Sequence, residues 1–300
     1  MILPLLGFAA GCDAAVDEQV PLGGAPGGVE AVDDLGRTVR LDGPATRIVS
    51  LLPGATETLV ALGAGDRLVA RTDYDDDPAL AHLPSVGGGL TPSIELLASL
   101  RPDLVVAWEE AGAARTRPRL EALGIPVFSV TTQDTAGIFA NVERFGRLVG
   151  LPERADSLAA AMRSELDAVR ASVAGRERPT VLYMIGLDPP MVAGRSVFIG
   201  EVLEVAGGRN VFADVSAPSP RVSLEEIVRR RPDLVLLPAS GASSLPVERL
   251  RELPGWRDLS QGTTRFEPLP ADVLHRPGPS VVEAARVLRD VIHPDLAAPQ

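Results

Sequence analysis

Ser93-Ile-Glu-Leu-Leu-Ala-Ser-Leu-Arg-Pro-Asp-Leu-Val-Val-Ala107 returns without a gap as Ser223-Leu-Glu-Glu-Ile-Val-Arg-Arg-Arg-Pro-Asp-Leu-Val-Leu-Leu237. Seven of the fifteen positions are identical, and the copies lie 130 residues apart. A solenoid needs three or more copies at a shorter period, so one distant pair predicts two similar lobes instead. Each copy reads as a helix-to-strand unit. The serine is a helix N-cap, the glutamate falls in the first turn, and the proline stops the helix ahead of an apolar strand. Two lobes imply a cleft between them, a common place for a ligand.

The rest of the chain supports this division. Its 300 residues allow about two domains. Residues 29–41 suggest a short hairpin with Asp34-Leu35-Gly36 near its turn. Strand-length apolar runs at 47–52, 68–70, 103–108 and 125–130 alternate with helical patterns over 55–62 and 136–148 and with one that ends at Leu123. The second half repeats the alternation: strands at 180–185, 233–237 and 265–269, helices at 197–206, 223–231 and 280–292. Asp188-Pro-Pro190 reads as a loop. Such alternation predicts an α/β fold with parallel sheets covered on both faces.

Between the halves, Pro152 to Val173 is the longest uninterrupted helical pattern. It carries Leu158, Met162, Leu166 and Val169 on one stripe. At 1.5 Å per residue it would be about 33 Å long, a stiff spine rather than a floppy hinge. The expected organisation is a signal segment at 1–11, a tether at 12–28, an N-terminal lobe at 29–150, the connecting helix at 151–175 and a C-terminal lobe at 176–300.

The N-terminus carries its own signal. The run 1–11 is apolar and ends in Ala9-Ala10-Gly11 just before Cys12, the only cysteine. That is the pattern of an export signal's apolar core and cleavage site. It resembles a bacterial lipoprotein signal, in which Cys12 would be lipidated and become the mature N-terminus. Two features depart from that pattern: position −3 is Ala9 rather than Leu, and no Arg or Lys precedes the run. The run is too short to span a bilayer. The tether is rich in Asp, Gly, Pro and Ala. The protein is therefore expected to be exported, lipid-anchored, and either periplasmic or on the cell surface.

Enzyme chemistry is sparse. The sequence has no Gly-x-Ser-x-Gly elbow, no Walker loop, no paired-histidine motif and no cysteine pair. His82, His275 and His293 are widely separated and read as surface residues. The net charge of −11 argues against nucleic acid as a partner. Glu95 and Glu225 occupy equivalent positions of the two repeat copies. A first-turn carboxylate is ordinarily explained by the helix dipole. A matched pair at the two ends of one body also offers a two-point contact for a partner that carries arginines. Trp108 ends a strand, where ligands of α/β folds bind. Tyr74 sits in the acidic loop Thr72–Pro78, and Trp256 reads as a packing residue.

Several stretches together resemble the iron-siderophore/cobalamin class of ABC-importer substrate-binding proteins. They are Arg47-Ile-Val-Ser-Leu-Leu-Pro-Gly-Ala-Thr-Glu57, Thr72-Asp-Tyr74 with Pro78, Ser93-Ile-Glu95 with Arg101-Pro-Asp-Leu-Val105, Leu123-Gly-Ile-Pro-Val127, Val205-Ala-Gly-Gly-Arg-Asn210 and Arg276-Pro-Gly-Pro279. The resemblance runs from about Arg47 to Ile292. It implies two Rossmann-like α/β lobes with parallel sheets joined by one long rigid helix, the class III periplasmic binding protein architecture. It also implies little closure on binding.

Within the class, Asp103-Leu-Val-Val-Ala-Trp108 and Asp188-Pro-Pro-Met191 look most like the cobalamin-binding members. The resemblance places Tyr74, Trp108, Met191, Asp272 and Arg276 against the ligand, and it matches Glu95 and Glu225 to glutamates that pair with permease arginines. Gly89, Met191 and Ser219 stand where those members carry large aromatics. That leaves the ligand open between cobalamin and a ferric siderophore or haem. The expected partners are an ABC permease with its ATPase, for a chain that is otherwise monomeric, holds no resident cofactor or metal and does no catalysis. A sensory or structural lipoprotein on the same fold, or an enzyme on a related scaffold, are the other readings.

Overall fold

The computed structural model describes residues 27–109, 116–131, 134–238, 247–269, 274 and 276–297. Strands β1 (Val29–Val32) and β2 (Thr38–Leu41) form the expected antiparallel hairpin. The N-terminal sheet contains β3 (Ile48–Ser50), β4 (Leu68–Ala70), β5 (Leu104–Trp108) and β6 (Val127–Val130). Its order is β4-β3-β5-β6 and all its pairs are parallel. Helices α1 (Pro53–Ala61), α2 (Ile94–Leu100), α3 (Thr116–Glu121) and α4 (Thr135–Leu148) accompany it.

Helix α5 (Pro152–Ser172) leads to a second, separate sheet. That sheet runs β11-β10-β7-β8 through β7 (Thr180–Leu187), β8 (Pro190–Val192), β10 (Leu234–Pro238) and β11 (Arg265–Leu269), with β9 (Arg209–Asn210) also paired to β7. Its helices are α6 (Phe198–Val205), α7 (Leu224–Arg230), α8 (Val247–Glu252), α9 (Trp256–Ser260) and α10 (Val281–Ile292). The parallel sheet of this half carries one antiparallel strand at its edge. The chain reverses after β7, and β8 pairs back antiparallel, so Pro190 belongs to a strand rather than to the loop. The Pro190 carbonyl also accepts from Val222 N at 2.9 Å, which ties β8 to the segment that precedes α7. Helices α8 and α9 are not among the elements expected from the sequence.

Strand alternation explains how the lobes hold together. In β5, Leu104 and Val106 face one apolar cluster while Val105 and Ala107 face another. In β7, Val181 and Tyr183 face the first cluster while Leu182 and Met184 face a third; β10 alternates in the same way. The first cluster is therefore common to both sheets. It runs through Ala155, Ala159, Met162, Leu166 and Val169 of α5. The other two clusters are private to the outer face of one sheet each. Leu158 packs against the shared cluster from its edge.

The repeat has a structural meaning at single-atom level. Ser93 caps α2 by accepting from Leu96 N at 3.2 Å, and Ser223 caps α7 by accepting from Glu226 N at 3.2 Å. Both helices end on a left-handed arginine, Arg101 at φ 46° and Arg231 at φ 47°, just before the repeated proline. The repeated aspartates then tie each unit to the neighbouring strand. Asp103 accepts from Thr46 N at 2.9 Å, Thr46 Oγ1 at 2.8 Å and Arg47 N at 3.0 Å. Asp233 accepts from Thr180 N at 2.7 Å and Thr180 Oγ1 at 2.6 Å. Each fixes the entry of the strand beside it, β3 or β7.

Hydrogen bonds from the Thr180 hydroxyl and backbone hold the Asp233 carboxyl below its ordinary value. Asp233→Ala is expected to cost about 1 kcal/mol of stability at neutral pH. A depressed folded pKa adds stability that is present above the unfolded value and is lost as pH falls through the folded one. The gap between variant and wild type should therefore narrow across a descending pH series of denaturant titrations. A gap that stays constant would contradict this role.

Candidate functional site

A cleft of about 930 Å³ opens between the C-terminal ends of the two sheets. The N-terminal wall begins where β3 passes into α1, with Leu52, Pro53, Gly54 and Ala55. Proline at the first helical position has no N–H to leave unpaired, so Pro53 starts α1 rather than merely breaking the strand. Trp108 and Val130, cross-strand partners at the ends of β5 and β6, continue the wall. Asn141 and Phe145 of α4 complete it. Oδ1 of Asn141 accepts from Arg144 at 3.1 Å, and Arg144 in turn pairs with Asp34 of the hairpin turn.

The opposite wall is built from Met191 of β8, Val197 and Phe198 at the start of α6, and the segment Ala217 to Arg221. This segment is pinned to β8 and the residues after it. Val192 N donates to Pro220 O at 3.1 Å, Gly194 N donates to Pro218 O at 2.9 Å, and Met191 bridges Arg221. Gly89 does not line the cleft, and an added Cβ there would run into the carbonyl oxygen of Leu51. Of the three positions singled out as departing from the resemblance, Met191 gives the cleft a thioether and Ser219 a hydroxyl.

The floor is the point where two of the quoted sequence stretches meet. A Cβ on Gly54 would stand 2.7 Å from Pro277 O, and one on Gly278 would stand 2.6 Å from Gly54 O. Only glycine permits backbone to approach backbone this closely. Arg276 pairs with Asp76 at 2.8 Å across the same junction. The Arg276 hydrogen bond holds the Asp76 carboxyl below its ordinary value. Glu57 of α1 is pushed the other way by burial, against hydrogen bonds from Ser280. Away from the cleft, Thr135 of α4 donates its N–H to Glu201 of α6 at 2.9 Å, with its hydroxyl on the same oxygen.

Of the residues singled out for the ligand, Trp108, Met191 and Arg276 share this cleft. Asp272 and Cys12 lie outside the described residues. Tyr74 does not line the cleft. Asp75 accepts from Thr72 N and Oγ1, both at 2.7 Å, and this turns the loop so that Tyr74 stands 67% exposed beside Gly88. Glu95 and Glu225 are exposed, each as the second residue of its capped helix. Glu225 is held below the ordinary carboxylate range by its own backbone N–H and by Ser223.

His82 is on the surface as expected, and His275 is outside the described residues. His293 corrects the reading, because it is buried beside Gly207, away from the cleft, and burial lowers its pKa. Trp256 is a packing residue, edge-on to Phe266 at 6.3 Å. Asn141, Phe145 and Phe198 were not singled out, because a helical stripe reads as core whether or not its end opens into a cleft. Among the described residues no group of three or more His, Cys, Asp or Glu could hold a metal ion, and no helix is long and apolar enough to cross a membrane.

The periplasmic binding protein family matches residues 48–261. A vitamin B12-binding protein of Vibrio parahaemolyticus is 30% identical over 244 residues, 80% of this chain and 87% of that protein. The solved periplasmic vitamin B12 binding protein of Vibrio cholerae superposes with a TM-score of 0.69 at 29% identity, covering 83% of this chain and 97% of that one. A periplasmic haem binding protein of Pseudomonas aeruginosa gives a TM-score of 0.73 at 27% identity, covering 85% and 95%.

Gly54→Ala and Gly278→Ala are each expected to destabilise the protein by about 1–3 kcal/mol, because a backbone must move to make room. Gly65→Ala is the control, since its Cβ would meet Val60 at an ordinary 3.5 Å. Thermal melts of the three variants check this. Losses no greater than that of the control would show that the junction is loosely packed.

Proposed function

We propose that this chain, which belongs to the periplasmic binding protein family, is the substrate-binding component of an ABC importer. It captures cobalamin or a similarly large cofactor-like ligand between its lobes and delivers it to a permease with its ATPase. The observation that carries this reading is the cleft itself. It is large, mostly apolar and placed at the carboxyl ends of both sheets, and it has Trp108 on one wall and Met191 on the other. An indole face and a thioether suit a broad planar ligand. The vitamin B12-binding relatives favour cobalamin, and the haem-binding structures keep haem as the second candidate.

The docking role rests on Glu95 and Glu225, carboxylates at equivalent corners of the two lobes. Both point to solvent from capped helices, as a two-point contact with permease arginines requires. The expected anchor is a lipid on Cys12, with the tether keeping a monomeric binding body close to the membrane. Tyr74, on the loop whose Asp76 holds Arg276, would meet only a ligand that projects beyond the cleft.

The two tryptophans divide the fluorescence cleanly, because Trp256 is 4% exposed in the outer core and Trp108 faces the cleft. Cobalamin should quench the wild type, and Trp108→Ala should abolish most of that quenching while weakening binding roughly tenfold or more. Unchanged affinity would remove Trp108 from the site. Replacing Glu95 and Glu225 together with Ala should leave ligand affinity unchanged and impair uptake by cells that carry the importer. Normal uptake would refute the docking role.

A further inference from the structure

We infer that Arg221 is an anion anchor, so the cargo presents a carboxylate or phosphate group to the C-terminal wall of the cleft. This rests on the reading of the cleft as the cargo site and adds the charge class of the cargo. Two arginines line the cleft, and among the described residues no carboxylate does. Arg276 is already partnered by Asp76. The Arg221 guanidinium has no hydrogen bond or ion pair among the described residues, in a chain whose net charge is −11.

Arg221 is exposed, and any solvated arginine can lack a partner, so its placement has to carry the inference. Arg221 is presented from a fixed backbone. Met191 is its bridge partner, and Val222 N donates to Pro190 O at 2.9 Å. Bridge partners in an antiparallel pair point to the same face, and both residues line the cleft. One wall therefore offers an apolar thioether and, beside it, a planar cation able to grip a carboxylate or phosphate through two parallel N–H bonds. That pairing fits an amphiphilic plate with an anionic edge. The phosphodiester of cobalamin and the carboxylates of haem supply the same chemistry.

Matched probes distinguish the sources. Dicyanocobinamide keeps the corrin without the nucleotide phosphate, and haem dimethyl ester keeps the macrocycle without free carboxylates. The full chain, its Arg221→Met variant and its Arg221→Lys variant are titrated with cobalamin, dicyanocobinamide, haem and the ester. The inference predicts that Arg221→Met weakens the anion-bearing probe that the wild type binds by roughly tenfold or more. It predicts the matched probe without the anion to be unaffected, and Arg221→Lys to fall between. Equal affinities of wild type and Arg221→Met, or the same loss for both members of a pair, would overturn it. If the wild type bound none of the four, the assignment of a tetrapyrrole cargo would fail on its own. An anionic ferric catecholate and a neutral ferric hydroxamate then decide the charge claim. Arg221-dependent preference for the anion supports it, and preference for the neutral complex or binding of neither overturns it.

Discussion

One buried apolar cluster touches the inner face of both sheets, and the working geometry of the molecule follows from it. Leu104, Val106 and Phe128 reach it from one side, and Val181, Tyr183, Leu234 and Leu236 from the other. Met162 and Leu166 of the connecting helix lie within it. Two bodies linked only by a strap could swing apart at little cost. Here any large rotation would expose side chains that now share one core, at about 25 cal/mol for each Å² of apolar surface returned to water. The helix is a stiff connector because its buried stripe belongs to both lobes.

The cleft is what remains at the strand ends where this shared core stops. At its floor backbone meets backbone, Gly54 against Pro277 and Gly278, and neither glycine has room for a Cβ. Polar links also join the two halves: Arg276 with Asp76 at the cleft floor, a partly exposed ion pair of the kind that contributes little, and the part-buried hydrogen bonds of Thr135 to Glu201 away from the cleft. A preformed cleft spares the ordering cost that a loose pair of lobes would pay on capture. The exposed corners that carry Glu95 and Glu225 belong to the two lobes that this shared core joins.

Much of this was legible in the sequence, for identifiable reasons. The duplicated Ser-x-Glu…Arg-Pro-Asp unit encodes a cap, a helix stop and an aspartate clamp, and each is a local event that residue identity dictates. The partners of those aspartates were not legible. Thr46 and Thr180 lie far from them in the chain, and a threonine before a strand has no distinctive spacing. Pro53-Gly54 reads as punctuation, yet its glycine is there to meet Gly278 more than two hundred residues later. Trp108 was legible as a cleft residue because it ends a strand, whereas Met191 was reached only through the resemblance of the stretch Asp188-Pro-Pro-Met191. Asn141, Phe145 and Phe198 were not, because depth in a cleft is a tertiary property. Tyr74 was placed in the site by its motif, but hydrogen bonds within its own loop turn it outward.

A pair of crystal structures of the chain, free and soaked with cobalamin, tests the central claim most directly. The account predicts density between Trp108 and Met191, an unchanged contact of Gly54 with Pro277 and Gly278, and two lobes in the same relation in both crystals. Ligand elsewhere, or a rotation of the lobes that separates those glycines, would contradict it.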